Sequence, residues 1–87
     1  MSCTPVAFEK IIRRVSYANG ELVLRNTRER ALELLKSITS DFCIIENRSE
    51  DKVTVKARHN GKTIRVDIQV EKSRINDWWL VTMTVHL

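Results

Sequence analysis

Glycine and proline are scarce in this sequence, with two glycines and one proline among 87 residues. That scarcity leaves no flexible linker, and the length suits a single domain, residues 1–87. No apolar run approaches the ~20 residues that a membrane-spanning helix needs. Met1-Ser2-Cys3-Thr4-Pro5 is polar and Glu9 and Lys10 follow, so no secretory signal is legible. Cysteine is equally sparse. Cys3 and Cys43 do not make a disulfide framework, so both are expected as free thiols in a reducing compartment, Cys43 being inert in a buried strand. The expected location is intracellular and cytoplasmic, with peripheral membrane attachment left open. Without a secretory signal, the glycosylation pattern Asn47-Arg48-Ser49 reads as a polar turn.

Chemistry-bearing patterns are missing too. His59 and His86 are the only histidines. Neither has a serine, cysteine or carboxylate at a recognised catalytic spacing. The cysteines and histidines lack metal-site spacing, and there is no glycine-rich phosphate loop. The expectation is a protein that is no enzyme and holds no cofactor and no metal.

What is present is a meander from Lys52 to Leu87. Its strongest signal is Asn60-Gly61, because both central residues of a type I′ turn need positive φ. A two-residue loop there pairs His59 with Lys62, Ala57 with Ile64, Val55 with Val66 and Val53 with Ile68. Apart from the closing pair these are apolar and share one face, so turn and pattern agree. The other face pairs Arg58 with Thr63, Lys56 with Arg65 and Thr54 with Asp67. In the last strand Trp79, Val81, Met83, Val85 and Leu87 point inward. Trp78, Leu80, Thr82, Thr84 and His86 point outward.

Upstream, Thr4 is the expected cap of a helix with Pro5 at its first position. Phe8, Ile11, Ile12 and Val15 form its apolar stripe, and Asn19-Gly20 ends it. Glu21 to Arg25 is expected as a short strand. Asn26 with Glu29 makes a capping box for a second helix carrying Ala31, Leu34, Leu35 and Ile38. A strand over Phe42-Cys43-Ile44-Ile45 and a polar turn from Asn47 to Asp51 lead into the meander. The fold class is α+β: an antiparallel sheet of four to five strands with two helices packed on one face.

The charge balance is +4 with a pI of about 9.4, which favours acidic partners. Lys56 opposite Arg65 is locally unfavourable on an exposed face, and Arg58, His59 and Lys62 lie close by. Lys56, Arg58, Lys62 and Arg65 are therefore the candidate anion site. The plainer alternative is a solvated face balanced by Asp67 and Glu71. Lys10, Arg13 and Arg14 on the first helix, with outward Trp78 and Leu80, are the candidate interface residues. Arg13-Arg14-Val15-Ser16 also fits a basophilic kinase site, a pattern that arises often by chance.

The helix TRERALELLKSI, followed by DFCIIENRSEDKVTVKARHNG and TIRVDIQVEKS, resembles the kinase-associated domain 1 family. That family includes the C-terminal domain of the AMP-activated kinase catalytic subunit. It places a further helix after its last strand; here the helix around Phe8 to Val15 would take that position. The resemblance implies binding of anionic phospholipid headgroups through basic residues and an autoinhibitory contact with a kinase domain.

The expected function is a small non-catalytic regulatory or interaction domain with a basic sheet face. Its partner is an anionic membrane surface or an acidic protein. Two alternatives stay open: binding of single-stranded nucleic acid or RNA, and homodimer formation through the last strand.

Overall fold

The computed structural model describes residues 3–87, and among them are two helices and one five-stranded sheet. The chain runs β1 (Val6–Ala7), α1 (Phe8–Leu24), α2 (Arg28–Thr39), β2 (Ile44–Ser49), β3 (Lys52–His59), β4 (Lys62–Lys72) and β5 (Trp79–His86). β3 is central. β4 pairs along one of its edges, antiparallel, and β5 pairs beyond β4. The other edge of β3 is shared: β2 takes its first half antiparallel, and β1 pairs parallel at Ala57 and Arg58. Both helices pack against one face, which makes the fold α+β.

The hairpin register is the one the turn dictates. Asn60 and Gly61 have φ of 52° and 75°, and β3 and β4 pair from His59↔Lys62 to Lys52↔Gln69. Val53, Val55, Ala57, Ile64, Val66 and Ile68 consequently all enter the core. In β5, Val81 is fully buried and Trp79, Met83 and Val85 pack against the core from its margin. Leu87, expected to face inward, is 99 % exposed, because it lies beyond the last paired residue, His86.

The N-terminal part departs from expectation in four places. Thr4 and Pro5 do not open a helix. Val6–Ala7 is instead a strand on the stretch of β3 edge that β2 leaves uncovered, and α1 starts at Phe8. Asn19-Gly20 does not end α1, and the strand expected over Glu21 to Arg25 is helical as far as Leu24. Here packing outweighs propensity. The buried stripe continues through Ala18 and Leu22, and a helical glycine costs only about 1 kcal/mol. Ile12 falls off this stripe and is exposed. Third, the cap of α2 is Thr27, whose hydroxyl accepts from the Arg30 N–H at 3.1 Å. Fourth, the free-thiol expectation is corrected: Cys3 and Cys43 form a disulfide, with Cα atoms 5.5 Å apart. A separation of 40 residues in sequence conceals that β1 and β2 share one edge of β3, which brings the two cysteines together. The reducing compartment inferred from free thiols loses that support.

Two asparagines freed from capping take another role. Asn19 donates from Nδ2 to the Val81 carbonyl at 2.9 Å and accepts from the Val81 N–H at 2.8 Å. Asn26 does the same for Trp79, at 3.0 and 2.8 Å. Two side-chain amides thus substitute for a neighbouring strand along the first half of the β5 edge. α1 therefore crosses the sheet obliquely, from Phe8 against the His59 ring, with centroids 5.2 Å apart, to Asn19 at β5.

Replacing Asn19 by alanine strips both partners from the Val81 backbone. Urea denaturation is expected to register a loss of about 1–3 kcal/mol. A variant as stable as the parent would mean that this clamp contributes nothing.

Candidate anion-binding face

The face of the sheet away from the helices is set by the register. Lys56, Arg65 and His86 form one cross-strand row, with Arg58 opposite Thr63 on the side nearer the turn. Thr54, Asp67 and Thr84 form the next row. Lys62, paired with His59, lies at the hairpin tip on the helix side of the sheet. β5 stops opposite Arg65, short of the tip. The notch left there is a cavity of about 820 Å³, lined among others by His59, Lys62, Arg65 and His86. Lys56, Arg58, Lys62 and Arg65 are all exposed, and none of them has an ion-pair partner among the described residues.

The carboxylates nearest in the sequence pattern, Asp67 and Glu71, are engaged elsewhere. Asp67 is only 3 % exposed although it lies on the outer face. Its Oδ1 accepts from the Thr54 hydroxyl at 2.5 Å, and its Oδ2 accepts from His86 Nε2 at 2.9 Å. Lys52 Nζ stands 3.8 Å away. The Thr54 oxygen in turn accepts from Arg48 Nε at 3.1 Å. Glu71 accepts from Gln69 and from the Thr82 hydroxyl, at 3.3 and 3.1 Å. The Thr54 bond, more than any other influence, holds the Asp67 carboxyl below the usual range, and His86 adds to it against the opposing effect of burial. A hydroxyl, a carboxylate and an imidazole meet here, but the carboxylate is in the middle. His86 does not reach the Thr54 oxygen, so the hydroxyl is committed to Asp67 and lacks the hydroxyl–imidazole contact of an activated nucleophile.

The other candidate residues lie apart from this face. Lys10 and Arg14 pair with Asp41 at 3.4 and 3.1 Å. Arg14 also donates to the Ile38 carbonyl at 3.4 Å and sits over the Phe42 ring, tying α1 to the end of α2. The arginine beside Asp41 holds that carboxyl below its ordinary value. Arg13 is exposed on α1. Trp78 is 41 % exposed and precedes β5, with half-buried Leu80 opposite Glu71. It lies at the far end of the sheet from the Lys56 row, roughly 26 Å along the strand at ~3.3 Å per residue. Exposed Ile75 and Leu24 lie at that same far end, since Asn26 joins it to Trp79. No helix among the described residues is long and apolar enough to cross a membrane. No group of three or more histidine, cysteine or acidic side chains among them is placed to hold a metal ion.

Sequence reasoning paired Thr54 with Asp67 but missed the network they anchor. Its signal was available: a carboxylate directly opposite a hydroxyl, one row from two unpaired cations. The chain matches no protein-family model, and no curated protein or solved structure matches it.

A depressed folded-state pKa means that Asp67 contributes stability above its unfolded pKa, about 3.9. That contribution is lost as pH falls below this value toward the folded one. Thr54→Val removes the largest cause of the depression. The variant should be less stable at neutral pH, and its stability should fall less steeply below about pH 4. Acid titration of stability by circular dichroism measures this. An acid dependence identical to the parent's would contradict the role given to Thr54.

Proposed function

We propose that this is a non-catalytic interaction module whose basic sheet face docks an acidic protein surface. The observation carrying the reading is that Lys56, Arg58, Lys62 and Arg65 converge on one end of the sheet with no internal counter-charge, while Asp67 and Glu71 are bonded elsewhere. Placing Lys56 across from Arg65 costs a few tenths of a kcal/mol on an isolated surface. An acidic partner turns that cost into attraction and speeds encounter.

Three features favour a protein over the other anionic partners. Membrane docking by this route benefits from several apolar side chains beside the cations; exposed Leu87 lines the notch with Lys62 and Arg65, but Ile75, Leu24 and Trp78 belong to the opposite end of the sheet. Single-strand binding uses aromatic platforms next to the cations, and Trp78 is equally remote from them. The half-open β5 edge beside the cationic row offers backbone groups that only another polypeptide can pair along its length. The likeness to the kinase-associated domain 1 family adds the expectation of a phospholipid ligand, which gives the experiment its second arm.

Binding to fluorescent polyglutamate is expected to be measurable and to weaken as salt rises. The double reversal Lys56→Glu/Arg65→Glu should lower affinity by at least about tenfold, mostly through the on-rate. A reversal variant that binds like the parent would remove the proposed face. Sedimentation with phosphatidylserine but not phosphatidylcholine vesicles, together with no polyglutamate binding, would transfer the face to lipid.

A further inference from the structure

The two halves of the β5 edge differ. Along a strand, backbone N–H and C=O groups point alternately to one neighbour and the other. The Asn19 and Asn26 bonds fix the phase, because Trp79 and Val81 present their groups away from β4. Met83 and Val85 share that phase. Among the described residues no hydrogen bond reaches their N–H or C=O groups. From Asn19 at Val81, α1 runs back across the sheet toward β1 and the hairpin, where Phe8 meets His59. Unpaired edge groups are templates for another strand.

The side chains along this open stretch are amphipathic. On the helix side, Met83 and Val85 are half-buried at the margin of the core. On the outer side, His86 is 52 % exposed and ends the row Lys56–Arg65–His86. The charged groups facing His86 are Asp67, which it bonds, and Arg65 across the ladder. A strand added here would set apolar side chains against Met83 and Val85. Its alternate side chains would stand next to the cationic row.

We infer that the open half of the β5 edge binds an extended acidic segment of a partner protein as a sixth strand, with carboxylates on the outer face and apolar residues on the inner. The inference rests on the proposed docking face and names how the partner is held. Charge also argues against a second copy as the occupant. Pairing β5 with β5 would bring two His86 rows onto one surface of two chains that each carry +4.

The test uses a capped hexapeptide alternating glutamate and valine, and two versions methylated on the valine or on the glutamate backbone nitrogens. All three carry the same charge. One methylated set should bind at least about tenfold more weakly than the parent peptide and the other should not, because only one set of amides faces β5 in a given orientation. Hydrogen exchange at Met83 and Val85 should slow when the parent peptide binds. Val85→Pro removes an outward N–H at an edge position where proline is tolerated, and it should weaken binding similarly. Equal binding of all three peptides overturns strand addition while leaving the charge-based docking intact. No binding of the parent peptide overturns it too. A concentration-dependent dimer that Val85→Pro dissolves would give the edge to a second copy, and would overturn the acidic segment as its occupant.

Discussion

Two adjacent residues with positive φ, Asn60 and Gly61, govern more of this molecule than any buried contact. A two-residue turn joins strands only in one register, and a slip by one residue would carry every side chain to the opposite face. With the turn in place, Val55, Ala57, Val66 and Ile68 go to the helices. The same constraint sets Lys56 opposite Arg65 and Thr54 opposite Asp67. Core and candidate site are two faces of a single geometric decision. β5 extends it: Val81 is driven inward and His86 outward to meet Asp67.

The outer face is thereby divided. At its centre a nearly buried carboxylate gathers Thr54, His86 and Lys52, and through Thr54 also Arg48. Burying an ionised carboxylate is tolerable only when its oxygens are bonded and cations stand near. This network meets that condition, and in doing so withdraws Asp67 from the neighbouring row. The cations Lys56 and Arg65 are left uncompensated because the acid one row away serves the sheet itself. A structural requirement at one row thus leaves the charge at the next row without an internal partner.

How much of this was legible depended on whether the governing contact was local. The hairpin register, the inward and outward halves of β5 and the stripe of α2 follow from turn chemistry and period, and all three could be read directly. Asn19, Gly20 and Asn26 were misread for one reason. Asparagine and glycine are local stop and cap signals, but these asparagines bond Val81 and Trp79, residues more than fifty positions away. The β1 pairing and the Cys3–Cys43 bond were hidden likewise, since they arise only when β2 leaves part of the β3 edge vacant. The Asp67 network was half legible. Register alone gives the Thr54–Asp67 pair, but the burial of both follows from Arg48 and His86 reaching in from β2 and β5.

On the proposed reading, acidic ligands are expected to meet the hairpin end of the outer face and the open half of β5. The most direct measurement is a map of backbone amide shifts during titration with polyglutamate. Shifts should concentrate at Lys56 to Arg65 and at Met83 to His86, leaving the Trp78 end and the exposed side of α1 unmoved. Shifts centred on Arg13, on Ile75 and Trp78, or spread evenly over the surface would contradict it.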